Sequence, residues 1–311
     1  MIEDRGPDGR SPLYQGTGSQ TIRLKSHPTG QAIVECTRLS PASRRIPKLT
    51  LNAGDDTKLE LAGTIVKGPG DTHCRFLIGD FGTATTRIQV ECAADCAWQL
   101  RVLPLSAARV LHTWATGTGS EVLVYDGPPA VLKLRQTKGR GTHVSVYVIR
   151  ANRLQAIMST GAPTLVSGDI IGLSAKALSL PLSSATMPPE LSPKPTTLNV
   201  ASYGADWELS VSAPEKLRSF AQEINGRGSE VVRYTGPPRT VRITNRSWWP
   251  GHDLGVSIFA EDLSHRVDLL APRVRGGPSA RFQSRSQDLR SGALLDIRTA
   301  YSSRWRIRTD T

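Results

Sequence analysis

Three passages of the chain repeat one another: GTGSQTIRL from Gly16, GTGSEVLVYDGPP from Gly117 and GRGSEVVRYTGPP from Gly226. Their serines, Ser19, Ser120 and Ser229, lie roughly a hundred residues apart, which is the length of one small domain. A chain with this period is constrained to fold as an array of like units, each with its own core. A second set of landmarks keeps the same phase, with Trp98 in CAWQLRVLP, Trp207 in ADWELSVSAP and Trp305 in SRWRIRTD. A third set, AIVECTR, AVLKLRQ and TVRITNR, aligns Cys36, Leu134 and Ile243. Together they divide the chain into a flexible tail over 1–15 and three repeats over 16–110, 111–225 and 226–311. The middle repeat is the longest, and the Pro- and Ser-rich PLSSATMPPELSPKP at 181–195 is where a loop absorbs the surplus.

Within each repeat the pattern is that of strands. Val122, Val124, Val131, Leu132 and Leu134 fall in short apolar runs, HVSVYVI at 143–149 alternates, and GPP at 127–129 separates two runs. Many short strands between Gly and Pro turns predict an all-β chain of three tandem antiparallel β-sandwiches, Ig-like or jelly-roll-like. Helical signal is confined to the connections. APEKLRSFAQEI at 213–224 places Leu217, Phe220 and Ile224 on one stripe of a helix, and LSAARVLHTWA at 105–115 is its counterpart.

The net charge of +12 is unevenly spread, and every basic residue from 226 onward is Arg. Arg304, Arg306 and Arg308 alternate along one run, so a strand would turn all three to one face. That face suits phosphate or carboxylate groups of an anionic polymer; the plainer reading is an ordinary solvated strand surface. Nucleic acid is the weaker partner, because readout of single strands needs interleaved aromatics. Trp248 and Trp249 in NRSWWPGHD are the aromatic candidates, for stacking or for packing. Trp98, Trp207 and Trp305 are expected as core anchors.

The four cysteines, Cys36, Cys74, Cys92 and Cys96, all lie in the first repeat. Cys36 takes a place held elsewhere by Leu134 and Ile243, which reads as a buried apolar substitute. Cys92 and Cys96 flank a short turn that would bring them together, with a disulfide as one outcome. No phosphate loop, nucleophile elbow, HExxH or zinc pattern is present, and the six histidines do not recur between repeats. Asp55, Asp56 and Asp80 could bind calcium on a sandwich loop, but the favoured reading is plain turn acids that need no metal. The pattern predicts neither a catalytic residue nor a cofactor.

The consensus G-x-G-S-[EQ] followed by Y-x-G-P, with a later W-x-[LI]-x-V-x-P, resembles β-sandwich repeats of actinobacterial proteins, many of them exported or at the cell surface. The resemblance implies the fold and no reaction. The expected function is therefore a non-enzymatic binding or scaffold protein, presenting loops and a cationic face to a protein partner or an anionic cell-envelope polymer. Two alternatives stand beside it: a decoration or connector component of a phage particle or injection apparatus, and a carbohydrate-binding accessory module of an enzyme. No run of apolar residues is long enough for a membrane span, and no signal peptide is written at the start. The expected location is the cytoplasm, a released particle, or the cell surface by another route.

Overall fold

The computed structural model describes residues 3–5, 12–24, 31–39, 48–53, 58–61, 73–78, 85–128, 130–138, 143–150, 153–160, 166–171, 195–202, 204–245, 254–259, 266–270, 281–283, 289–299 and 304–309. Apart from two single turns of 3-10 helix, their regular structure is strand. The first strands are β1 (Glu3–Arg5), β2 (Pro12–Thr17), β3 (Gln20–Arg23), β4 (Ala32–Arg38), β5 (Lys48–Ala53), β6 (Lys58–Leu61), β7 (His73–Ile78), β8 (Thr85–Glu91) and β9 (Ala97–Pro104). They form two sheets ordered β1-β2-β9-β4-β7 and β3-β8-β5-β6.

The next group is β10 (Arg109–Val110), β11 (Trp114–Gly117), β12 (Glu121–Tyr125), β13 (Ala130–Lys138), β14 (Val144–Arg150), β15 (Arg153–Thr160), β16 (Val166–Ile171), β17 (Thr196–Ser202) and β18 (Asp206–Ser212). Its sheets run β11-β18-β13-β16 and β10-β12-β17-β14-β15. The last group is β19 (Ser219–Phe220), β20 (Glu223–Arg227), β21 (Glu230–Tyr234), β22 (Val241–Asn245), β23 (Leu254–Phe259), β24 (Arg266–Leu270), β25 (Arg281–Gln283), β26 (Leu294–Thr299) and β27 (Arg304–Thr309). Its sheets run β20-β27-β22-β25 and β19-β21-β26-β23-β24.

Leaving out β1, β10 and β19, each sheet pair has eight strands in one order. The first lies beside the eighth, which lies beside the third, then the sixth; the second lies beside the seventh, then the fourth and the fifth. This interleaving of two Greek keys is the jelly roll, which decides between the two sandwich types expected.

The repeated letters turn out to be the joints of these sandwiches. Gly16 stands opposite Trp98, Gly117 opposite Trp207 and Gly226 opposite Trp305. Each indole lies across its glycine so closely that an added Cβ would overlap ring carbons. The indole N–H then donates to the carbonyl of the second glycine: Gly18 at 2.8 Å, Gly119 at 2.7 Å and Gly228 at 2.8 Å. Gly18 and Gly228 reach this turn with φ of 68° and 71°, in the left-handed region that glycine enters without steric cost. The serine that follows pins the strand before the tryptophan: Ser19 Oγ accepts from the Cys92 N–H, Ser120 Oγ from Ser202 and Ser229 Oγ from Thr299. In the last two pairs a tyrosine closes the GPP turn, with Tyr125 donating to the Pro128 carbonyl and Tyr234 to that of Pro237, both at 2.6 Å. All three tryptophans are buried in separate core clusters.

Three expectations need correction. The connections are not helices: Leu105–Ala107 and Pro214–Lys216 are single 3-10 turns, each followed by a two-residue strand parallel to the next sandwich. The apolar stripe misled because its members serve different layers, with Leu217 packing between sandwiches and Phe220 and Ile224 packing inside one. Residues assigned to a flexible tail are partly ordered, since β1 pairs with β2 and the side chains of Leu13 and Tyr14 are buried. The edges of the repeats also move, because β10 belongs to the second sandwich and β19 and the first part of β20 to the third. The strand carrying each landmark glycine begins well before it. The loop read at 181–195 lies almost wholly outside the described residues, as do Asp55, Asp56 and Asp80.

The sandwiches meet through equivalent faces. β7, an edge strand of the first, lies against β12 and β17 of the second. Its free N–H groups are used there: Arg75 N–H donates to the Ser120 carbonyl at 3.0 Å and Leu77 N–H to Asn199 Oδ1 at 3.1 Å. An open sheet edge is thereby closed by hydrogen bonds. Ile33, Leu77 and Val122 form the dry centre of this contact, and Arg75, with its Nε 2.8 Å from Glu35 and its Nη1 3.8 Å from Glu121, sits beside it. In the same way β16 of the second lies against β21 and β26 of the third, around Val131, Leu217, Val231, Phe259 and Leu294.

Candidate anion-binding face

The strand registers make Ile33, Val131 and Thr240 equivalent, each three residues before Cys36, Leu134 or Ile243 on the strand that neighbours the tryptophan. Ile33 and Val131 are buried against the following sandwich, whereas Thr240, in the last one, is partly exposed. At the other end of the array Thr21 stands where Val122 and Val231 stand at covered faces. The two outermost faces thus carry a hydroxyl where the inner contacts carry an aliphatic side chain. Terminal units of stacked arrays are capped by polar faces of this kind.

The last face is more than polar. On β20, β27 and β22 the side chains of Ile224, Val241, Ile243, Trp305 and Ile307 point into the core, so the alternate residues point out. The register sets them in rows: Glu223, Arg308 and Arg242 in one, Asn225, Arg306 and Thr244 in the next, then Arg227 and Arg304. Rows along a strand are about 7 Å apart and neighbours in a row about 5 Å. Among the described outward residues of these strands there are five guanidinium groups and one carboxylate.

Glu223 is the centre of this patch. It accepts from Arg306 Nη2 at 2.6 Å and from Arg308 Nε at a very short distance. These two hydrogen bonds, Arg306 first, hold its carboxyl down at about 2. The Nε–H of Arg306 has no acceptor among the described residues, and Arg304, Arg308, Arg227 and Arg242 are exposed. One carboxylate therefore anchors two guanidinium groups in place without neutralising the face. Below it Arg218 caps the Trp305 ring at 5.8 Å and donates to the Asn225 carbonyl and Glu230. Burial outweighs Arg218 at Glu230, whose carboxyl is raised above its ordinary range.

Of the candidates read from sequence, Arg304, Arg306 and Arg308 share this one face. Trp98, Trp207 and Trp305 are buried and unavailable to a ligand. Trp248 and Trp249 lie outside the described residues. Trp114 is the strongly exposed aromatic side chain among the described residues, and sequence reasoning passed it over. Cys92 and Cys96 are free thiols. The Cys92 thiol faces the Cys96 carbonyl at 3.8 Å, and burial followed by the Cys96 thiol pushes it up to about 12. Glu223, Arg227 and Arg242 were missed as members of the face. The available signal was strand pairing: the residues before Gly226 must lie beside those around Trp305, as in all three repeats. No group of metal-ligating side chains occurs among the described residues, and no described helix is long and apolar enough to cross a membrane.

No known family model matches the chain, and no curated protein does. Among solved structures it is similar to the triple jelly roll of an archaeal virus turret, at 9% identity over 96% of this chain and 83% of that one, with a TM-score of 0.26. It is also similar to the N-terminal CBM22-1-CBM22-2 tandem domain of Paenibacillus barcinonensis Xyn10C, at 7% identity over 65% of this chain and 85% of that one, with a TM-score of 0.21. The major capsid protein of bacteriophage PM2 gives 9% identity over 65% of this chain and 97% of that one, with a TM-score of 0.20. Scores this low mark no common arrangement of the whole chains.

Proposed function

We propose that this chain is a non-enzymatic scaffold whose stacked sandwiches carry, at their C-terminal end, an arginine face that binds a linear polyanion. The observation that supports this most is the arginine-rich outer face of the third sandwich: places held by Glu35, Gln99 and Arg101 in the first and by Lys133, Glu208 and Ser210 in the second are held by Arg242, Arg306 and Arg308 in the third. Ile33 and Val131 seat a neighbour; Thr240 with the rows of Arg227, Arg242, Arg304, Arg306 and Arg308 seats none within the described residues. Arginine arrayed on a flat sheet suits oxyanions spaced along a polymer, because each planar fork can bond two oxygens at once. The repeated glycines, serines and tryptophans are engaged in holding strands together, which leaves the face rather than the motif as the working surface.

The test is affinity for inorganic polyphosphate, with polyglutamate as the carboxylate comparison, across a salt titration. Arg304→Gln, Arg306→Gln and Arg308→Gln combined should weaken binding and lower the slope of log K against log salt by roughly two. Unchanged affinity and slope in a folded triple variant would remove the proposal.

A further inference from the structure

Cys36 and Cys74 are direct register partners on β4 and β7. Both side chains are wholly buried in one core cluster. The same cross-strand place is held by Leu134 opposite Ser167 in the second sandwich and by Ile243 opposite Phe282 in the third. The jelly roll therefore does not require a thiol pair there. The Arg75 N–H points away from β4, so the adjacent Cys36 and Cys74 are a hydrogen-bonded pair, whose Cα atoms lie about 5.5 Å apart, inside the range of roughly 4.4 to 6.8 Å that a disulfide spans. Both side chains leave the sheet on its core face, so the two Cβ atoms are neighbours rather than turned apart. The thiols also interact: burial first, then hydrogen bonding and the charge of Cys36, raise Cys74 well above the ordinary thiol range.

We propose that Cys36 and Cys74 close a disulfide between β4 and β7 when the chain folds in oxidising surroundings, the structure described here being the dithiol form. With glutathione disulfide as the oxidant, the Cys74 thiolate attacks one sulfur and releases a glutathione thiolate. The Cys36 thiolate then attacks the mixed disulfide and releases the second. Two protein thiols give up two protons and two electrons, and glutathione disulfide takes them to become two glutathiones. Both thiols are shut off in the folded sandwich, so the step belongs to folding or to a local opening of β7, which is an edge strand of its sheet. The consequence reaches past the first sandwich, because β7 is the strand whose Arg75 and Leu77 amides seat the second. A bond from Cys74 to β4 would fasten that seat to the centre of its sheet.

The test refolds the full chain from the reduced, denatured state in a glutathione redox buffer, then alkylates and digests it without reduction for mass spectrometry. The expected product is a peptide pair linked through Cys36 and Cys74, two hydrogens lighter than its parts and lost on reduction. The oxidised chain should melt at least about 5 °C above the reduced chain. That difference should persist in Cys92→Ser/Cys96→Ser and vanish in Cys36→Leu/Cys74→Ser, which copies the pair Leu134 and Ser167. Recovery of both cysteines alkylated from the refolded wild-type chain, or linkage of either to Cys92 or Cys96, overturns the proposal. The peptide readout uses the wild-type chain and does not depend on a variant folding.

Discussion

Replacing Gly117 by alanine separates what the structure implies from what a strand of this sequence would suggest. Glycine weakens a strand, and alanine at an unstrained position stabilises by roughly 0.5 to 1 kcal/mol through the unfolded chain. Gly117 is not among the glycines with positive φ, so backbone conformation gives alanine no penalty there. The penalty comes from Trp207, whose ring carbons occupy the space of the new Cβ. The indole cannot slide aside freely, because its N–H is held by the Gly119 carbonyl at 2.7 Å and its other face is buried. Overpacking of this kind costs about 1 to 3 kcal/mol. Set against the gain in the unfolded chain, the net expectation is a loss of roughly 1 to 2 kcal/mol. Native-state amide exchange on β13 and β18 reads the second sandwich alone, without assuming that the three unfold together. Pairing the change with Trp207→Leu should recover at least about 1 kcal/mol as coupling. A Gly117→Ala chain that is as stable as wild type, or more so, refutes the reasoning.

Trp207→Ala should cost the second sandwich roughly 3 to 5 kcal/mol by the same exchange measurement; a loss below about 1 kcal/mol would mean that the indole does not anchor its core. Asn199→Leu removes the acceptor of the Leu77 N–H and should speed exchange of that amide by tenfold or more, on the basis of about 1.4 kcal/mol for a lost buried hydrogen bond. Glu223→Gln should tighten polyphosphate binding by roughly two- to fivefold, since one competing carboxylate leaves the face. The same residue sets a pH dependence. Its carboxyl is lowered to about 2, so the stability it gives the third sandwich is complete above the ordinary carboxylate range and is lost as pH falls towards 2. Thermal melts between about pH 5 and about pH 2 should show that loss in wild type and less of it in Glu223→Gln.

Much of this fold was legible because its joints recur. The Gly-x-Gly-Ser and tryptophan sets are strand partners, and a contact between strands that recurs in each sandwich leaves the same letters each time. The jelly roll itself was harder to read than a sandwich, since strand order depends on long-range pairing that short apolar runs do not record. The connections were misread for a physical reason: Leu217, Phe220 and Ile224 satisfy a helical spacing while facing two different apolar layers. Arg304, Arg306 and Arg308 were visible from strand alternation alone. Glu223, Arg227 and Arg242 needed the pairing of β20 and β22 with β27. The contrast of Thr240 with Ile33 and Val131 carries meaning only once the faces between sandwiches are known. Cys36 looked like an aliphatic substitute because Leu134 and Ile243 hold its place in the other repeats; its partner Cys74 is far along the chain and adjacent only in the sheet.

The most direct test of the scaffold account is an amide-exchange footprint of the full chain with and without bound polyphosphate. Protection that gathers on β20, β22 and β27, with the first two sandwiches unchanged, is the predicted result. Protection centred on the first or second sandwich, with those three strands unaffected, would contradict it.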